Sequence, residues 1–359
     1  MKPRFTRDGS ADLEARLDCI CQEVAASIQA LLPTKMLEAI ALGGGYGRGE
    51  GGVLRSEEGD APYNDVEFFV FIRGPLLLRQ AKWNKPLYQL AHALTAKHGI
   101  EIEFKLLTLD KLRRSAPSMF YYDLVMGHQW ALGDDRLLAG CEHHRDATQI
   151  PVHEATRLLM NRSSGLLFAK ERLSRANFSA DDADFVARNI AKAQLALGDV
   201  LLAAHGKYHW SCLERLKRLP KLPSTLVTEL NLTAHHRHGV EFKLHPLRST
   251  ASREELQALH QTLTAAAETL FLWLESRRLG TAFASPSAYA ASRINKCPET
   301  KPARNRLINA RQFGLGSLLD SRYPRQRLLD GLCRLLWGRD TPAFSTELRA
   351  YEQLWQRFN

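Results

Sequence analysis

Two carboxylates stand two residues apart in Pro62-Tyr63-Asn64-Asp65-Val66-Glu67, and a glycine-rich run, Gly43-Gly44-Gly45-Tyr46-Gly47-Arg48-Gly49-Glu50, precedes them. Side chains two apart on a strand share a face, so Asp65 and Glu67 project together. Carboxylates so placed repel each other unless a cation lies between them. Hard oxygen ligands suit Mg²⁺, which commonly takes one or two carboxylates plus substrate phosphates. Glu101 and Glu103 flank Ile102 further on and offer a third acid to hold a second ion. Glu103 is preferred over Glu101 because it lies further into its strand. The glycines meet a different need, letting main-chain N–H groups approach a polyphosphate. Together these parts suit transfer at a phosphorus: a glycine turn for a triphosphate, carboxylates for Mg²⁺ and a geometry for in-line attack. Each part alone is commonplace, a solvated edge or a simple turn. Their order along the chain carries the reading.

The elements that must position these groups follow from the apolar pattern. Leu13, Leu17, Ile20, Val24, Ile28 and Leu31 recur at helical spacing, so residues 11–32 form an amphipathic helix that Pro33 closes. Residues 37–42 and 63–72 read as buried strands, the first entering the glycine turn and the second stopped by Arg73-Gly74-Pro75. Residues 85–98 read as a helix ended by Gly99, and residues 100–107 as a third strand. Beyond about residue 150 strand signals fade. Residues 152–173, 181–204, 252–278, 325–337 and 346–358 all read as helices, with N-cap and acidic first-turn residues at Ser179 and Ser252. The expected fold class is α+β: an N-terminal helix over 1–35, a small α/β domain with a mixed sheet over 36–150, and a larger all-helical domain over 151–359.

Composition sets outer limits. The chain has 359 residues, 45% hydrophobic and 25% charged, and a net charge of +10. These values exclude a mainly disordered chain, and no apolar run approaches the 18 or more residues of a membrane span. Six scattered cysteines read as reduced thiols in a cytoplasmic protein. Residues 1–150 carry 18 Lys and Arg against 20 Asp and Glu, whereas residues 151–359 carry 31 against 19. The C-terminal half therefore attracts anions, RNA among them. Basic residues mix with Phe313 and Tyr323 between Arg293 and Arg327, a mixture that suits single-stranded nucleic acid but equally a solvated surface. Cys141-Glu142-His143-His144 and His235-His236-Arg237-His238 have no partner pair at zinc-site spacing.

The two linked motifs, Gly44 to Glu50 and Pro62 to Glu67, resemble the signature of the nucleotidyltransferase superfamily that includes DNA polymerase beta. They are closest to the bacterial nitrogen-signalling uridylyltransferase and to minimal and antibiotic nucleotidyltransferases. The resemblance covers roughly residues 36–110. It implies that Gly44 and Gly45 line a triphosphate site, that Asp65 and Glu67 bind Mg²⁺, and that Glu101 or Glu103 supplies the third acid, for two ions in all. Such enzymes move a nucleoside monophosphate from an NTP, ATP among them, to a hydroxyl and release pyrophosphate. Arg48 is then a candidate phosphate contact, with a bracing Arg–carboxylate pair as the alternative. Lys192 is the candidate from the helical half. The chain departs from the family pattern in four places. Gly45 stands where Ser is frequent, Glu67 where Asp is usual and Asn64 where Ser is common, and the insert 51–61 is long. A catalytically silent nucleotide- or RNA-binding module of the same fold is the alternative. The acceptor, whether protein, RNA or small molecule, is not specified by the residues.

Overall fold

The structure, a computed structural model, describes residues 4–339 and 342–359, so Met1–Pro3 of the expected N-terminal segment lie outside the described residues. It divides into two compact units. The first comprises the chain up to Pro151 together with His205–Lys221 and Val240–Leu247, segments that a boundary at 150 leaves with the helical half.

In the first unit, helix α1 (Ala11–Leu31) starts at Ser10, whose side chain accepts from the Leu13 N–H. Strand β1 (Leu37–Leu42) leads into α2 (Gly44–Gly47), and a hairpin of β2 (Val53–Ser56) and β3 (Gly59–Pro62) follows. Strand β4 (Val66–Ile72), helix α3 (Leu76–His98) and strand β5 (Ile102–Leu107) come next. Short helices α4 (Leu109–Arg114) and α5 (Met119–Met126) precede β6 (Gln129–Leu132). The four-stranded sheet has the order β5-β4-β1-β6. β4 and β5 run parallel, and β1 is antiparallel to both β4 and β6. A parallel pair requires a long crossover, and α3 is that connection.

Strict alternation gives the sheet two cores. Ile40, Leu42, Phe68, Val70, Ile72, Ile102 and Leu106 pack with α1 and α3, while Ala39, Ala41, Phe69, Phe71 and Leu107 pack with α4 and α5. Odd-numbered residues of β4 and β5 therefore share the second face, and Glu67, Glu103 and Lys105 belong to it.

The structure corrects several sequence expectations. The strand expected from residue 63 begins at Val66, because the N–H groups of Tyr63 and Asn64 turn to the Tyr46 hydroxyl at 3.0 and 3.3 Å. The glycine turn closes into one helical turn. The helix expected from residue 85 begins nine residues earlier and carries Pro86 in its interior. The insert after Gly51 forms the β2–β3 hairpin, and β6 adds a strand with no alternation strong enough to be read.

The second unit is helical in its described residues. Val152–Leu173, Ala180–Ala204 and Arg253–Leu279 are its long helices, close to the expected 152–173, 181–204 and 252–278. The N-cap expected at Ser252 is present, and Glu255 completes a capping box with it. No helix among the described residues is long and apolar enough to cross a membrane. All six cysteines are free.

Candidate active site

The parallel register pairs Glu67 with Glu103 across β4 and β5. Asp65 sits just before β4, held where the Val66 N–H donates to the Glu101 carbonyl at 2.8 Å. Asp65, Glu67 and Glu103 are half-buried and each offers one oxygen within 4.8 Å of the others. Glu101 is exposed and stands outside this group; its carbonyl fixes the strand and its side chain does not join the cluster. Burial raises the Asp65 carboxyl above its ordinary range, and the charges of Glu67 and Glu103 add to the rise. Three hard oxygen donors so gathered fit Mg²⁺.

The glycine turn lies against the same acids. The Gly43 N–H donates to the Glu67 carbonyl at 2.8 Å. Gly44 has φ +61°, and a Cβ there would stand 3.2 Å from Glu67 Oε2, so only glycine suits the position on both counts. Gly45 faces the Glu50–Gly51 backbone, where a Cβ would meet the Glu50 carbonyl oxygen at 3.2 Å. A side chain in its place would crowd that loop by a few tenths of an ångström. First-turn N–H groups have no intrahelical acceptor. Those of Gly44 and Gly45 thus keep their hydrogen-bonding capacity unspent in α2.

Arg48 takes the bracing role. Its guanidinium pairs with Asp123 at 3.4 Å, and Asp123 also accepts from the Tyr208 hydroxyl at 3.2 Å. Burial pushes the Asp123 carboxyl up against the opposing pull of Arg48, Arg215 and Lys243. Glu50 is buried (4% exposed) and accepts from Ser211 Oγ at 2.5 Å, the Cys212 N–H at 2.9 Å and Lys243 Nζ at 3.3 Å. Burial alone would raise its carboxyl. The Lys243 charge and the bonds from Ser211 and Cys212 outweigh it and hold it at about 2. Sequence reasoning missed Asp123, Ser211 and Lys243, which no local pattern ties to half-buried Arg48 or buried Glu50.

Lys105 was also missed. Its Nζ lies 3.0 Å from Glu67 Oε1 and 3.3 Å from Glu103 Oε2, over the Phe69 ring at 5.8 Å. The pull of the two glutamates outweighs burial and raises its pKa. Its place two residues after Glu103 on an alternating strand was a readable sign. A cavity of about 750 Å³ opens along β5, lined by Asn84, Tyr88 and His92 of α3 and by Glu103 and Lys105. That volume suits a small molecule or part of a larger one.

Of the other candidates, Lys192 is in the second unit, lining a cavity of about 590 Å³ with Arg162, Asn189 and Trp355. Within the expected basic–aromatic stretch, Arg325 stands over Tyr323 at 5.1 Å and Arg327 over Phe313 at 4.1 Å, while Arg322 and Arg327 pair with Asp320. His143 and His144 bond to the carbonyls of Ser115 and Leu112, and His236 to Asp199 at 2.8 Å. No family model matches the chain, and no curated protein sequence matches it either.

Proposed function

We propose that the protein is a Mg²⁺-dependent nucleotidyltransferase that moves a nucleoside monophosphate from an NTP to a hydroxyl acceptor and releases pyrophosphate. The observation that carries this reading is the meeting of Asp65, Glu67 and Glu103 within 4.8 Å beside a turn whose Gly44 abuts Glu67. In it, the N–H groups of Gly44 and Gly45 receive the triphosphate, Asp65 and Glu67 hold the divalent ion that accompanies it, and Glu103 faces the acceptor. Held by Asp65 and Glu67, such an ion would supply neutralisation of phosphate charge and orientation of the attacking hydroxyl. The braces through Arg48 and Glu50 fix the turn so that its donors are positioned before substrate arrives, which matters because a misplacement of ~1 Å costs about 10²-fold in rate. The acceptor enters through the cavity along β5, which Glu103 shares.

The experiment is transfer of α-labelled nucleotide, with each of the four NTPs and Mg²⁺, into fractionated cell lysate. Label should pass to one fraction with pyrophosphate release, fall to background with chelator, and drop by orders of magnitude in Asp65→Asn. The fraction labelled, whether protein, RNA or small molecule, identifies the acceptor class. Undiminished transfer by the folded Asn variant would remove Asp65 from the mechanism.

A further inference from the structure

We propose that Lys105 fills one of the two cationic positions of the carboxylate cluster, so that the protein takes one divalent ion with its triphosphate where three acids alone would take two. The inference rests on the nucleotide-transfer reading above and specifies how that site is charged.

The two oxygens of Glu67 face different ways. Oε1 binds the Lys105 ammonium at 3.0 Å, whereas Oε2 is the atom that a Cβ on Gly44 would approach to 3.2 Å. One side of this carboxylate is thus committed to β5 and the other to the glycine turn. Lys105 closes the β5 side by reaching Glu103 as well, at 3.3 Å. Asp65 has no ion pair among the described residues. It and Glu67 Oε2 are left on the triphosphate side, where a divalent ion arriving with the substrate needs one or two carboxylates.

The β5 side does not accommodate a second ion while the lysine is there. Mg²⁺ requires its oxygens at about 2.0–2.1 Å in near-octahedral array, and the ammonium already occupies Glu67 Oε1 and Glu103 Oε2. A dication placed among them would also stand within a few ångströms of a like charge. The lysine is seated by covalent geometry: strand alternation puts it on the face of Glu103, and the Phe69 ring supports its ammonium from below. Lys105 and Glu103 both line the cavity along β5, so the fixed ammonium presents its positive charge to the acceptor side, where the second ion would have stood.

The test counts protein-bound Mn²⁺ by equilibrium dialysis with saturating inorganic tripolyphosphate, which serves whatever base the substrate carries and cannot be transferred. The wild-type chain should hold about one ion and Lys105→Met about two, since removing the ammonium frees Glu67 Oε1 and Glu103. Lys105→Arg, which keeps the charge, should stay at the wild-type count. Two ions on the wild-type chain overturn the inference while leaving the nucleotide-transfer reading in place. One ion on a Lys105→Met chain that melts like wild type also overturns it. If Lys105→Met does not fold, the wild-type and Lys105→Arg counts decide alone. An absence of Mn²⁺ binding in every chain removes both the inference and the reading on which it rests.

Discussion

Asp65 and Glu50 are carboxylates in opposite electrostatic settings, and their consequences for stability have opposite signs. Burial and the charges of Glu67 and Glu103 raise the Asp65 carboxyl above its unfolded value, so its ionised form weakens the fold at neutral pH. Asp65→Asn should therefore leave the metal-free protein as stable as wild type or more so, by up to about 1 kcal/mol in urea unfolding, while Mn²⁺ binding disappears. A loss of stability would show that the side chain is structural. Glu50 is depressed from 4.5 to about 2, so its contribution is fully present above the unfolded value and is lost as pH falls through the folded one. The shift corresponds to stabilisation on the order of 3 kcal/mol. Glu50→Gln should lose an amount of that order at neutral pH, and its stability should change less than the wild type's between pH 4.5 and about 2. Urea titrations of both proteins across that window check this; parallel curves would contradict it.

Helix α3 carries a cost that can be removed. Pro86 lies within it, lacks an N–H for the ladder and crowds the preceding turn. Pro86→Ala should stabilise the protein by about 1–2 kcal/mol in urea unfolding, the helix gain being partly offset by a freer unfolded chain. On the same helix, Asn84 faces the cavity along β5. Asn84→Trp should slow transfer to the acceptor while Mn²⁺ binding holds, and an equal loss of both would place the acceptor elsewhere. Proline also explains why the sequence misleads here: Pro86 resembles a first-turn residue, and the true start at Leu76 lies behind Pro75, without a side-chain cap. Strands β1, β4 and β5 were legible because alternation and β-branched or aromatic residues leave a local signature. Proximity of Asp65 to Glu67 was legible for the same reason. The preference for Glu103 over Glu101 came from its place further into the strand, whereas its pairing with Glu67 depends on the β4–β5 register, which no local pattern encodes. The partners of Glu50 were unreadable, since Lys243 is 193 residues away.

The chain passes between its two units five times, at residues 151, 204, 221, 239 and 247. A fragment ending at Pro151 lacks Ser211, Cys212 and Lys243 and leaves Glu50 buried without them. Stripping a buried charge of its partners costs about 3–5 kcal/mol, against the roughly 5–15 kcal/mol that holds a domain together. Such a fragment should show no cooperative thermal transition by circular dichroism, whereas the full chain should melt cooperatively. A sharp melt for the fragment would mean that the glycine turn stands without its braces. The Glu50 brace also has a consequence for biosynthesis. Translation proceeds from the N-terminus at about 5–20 residues per second, so the glycine turn emerges long before Lys243, at least ~10 seconds earlier by that rate. During that interval the glycine turn is an unfastened loop on a nascent chain, and the candidate site matures only when most of the protein has left the ribosome.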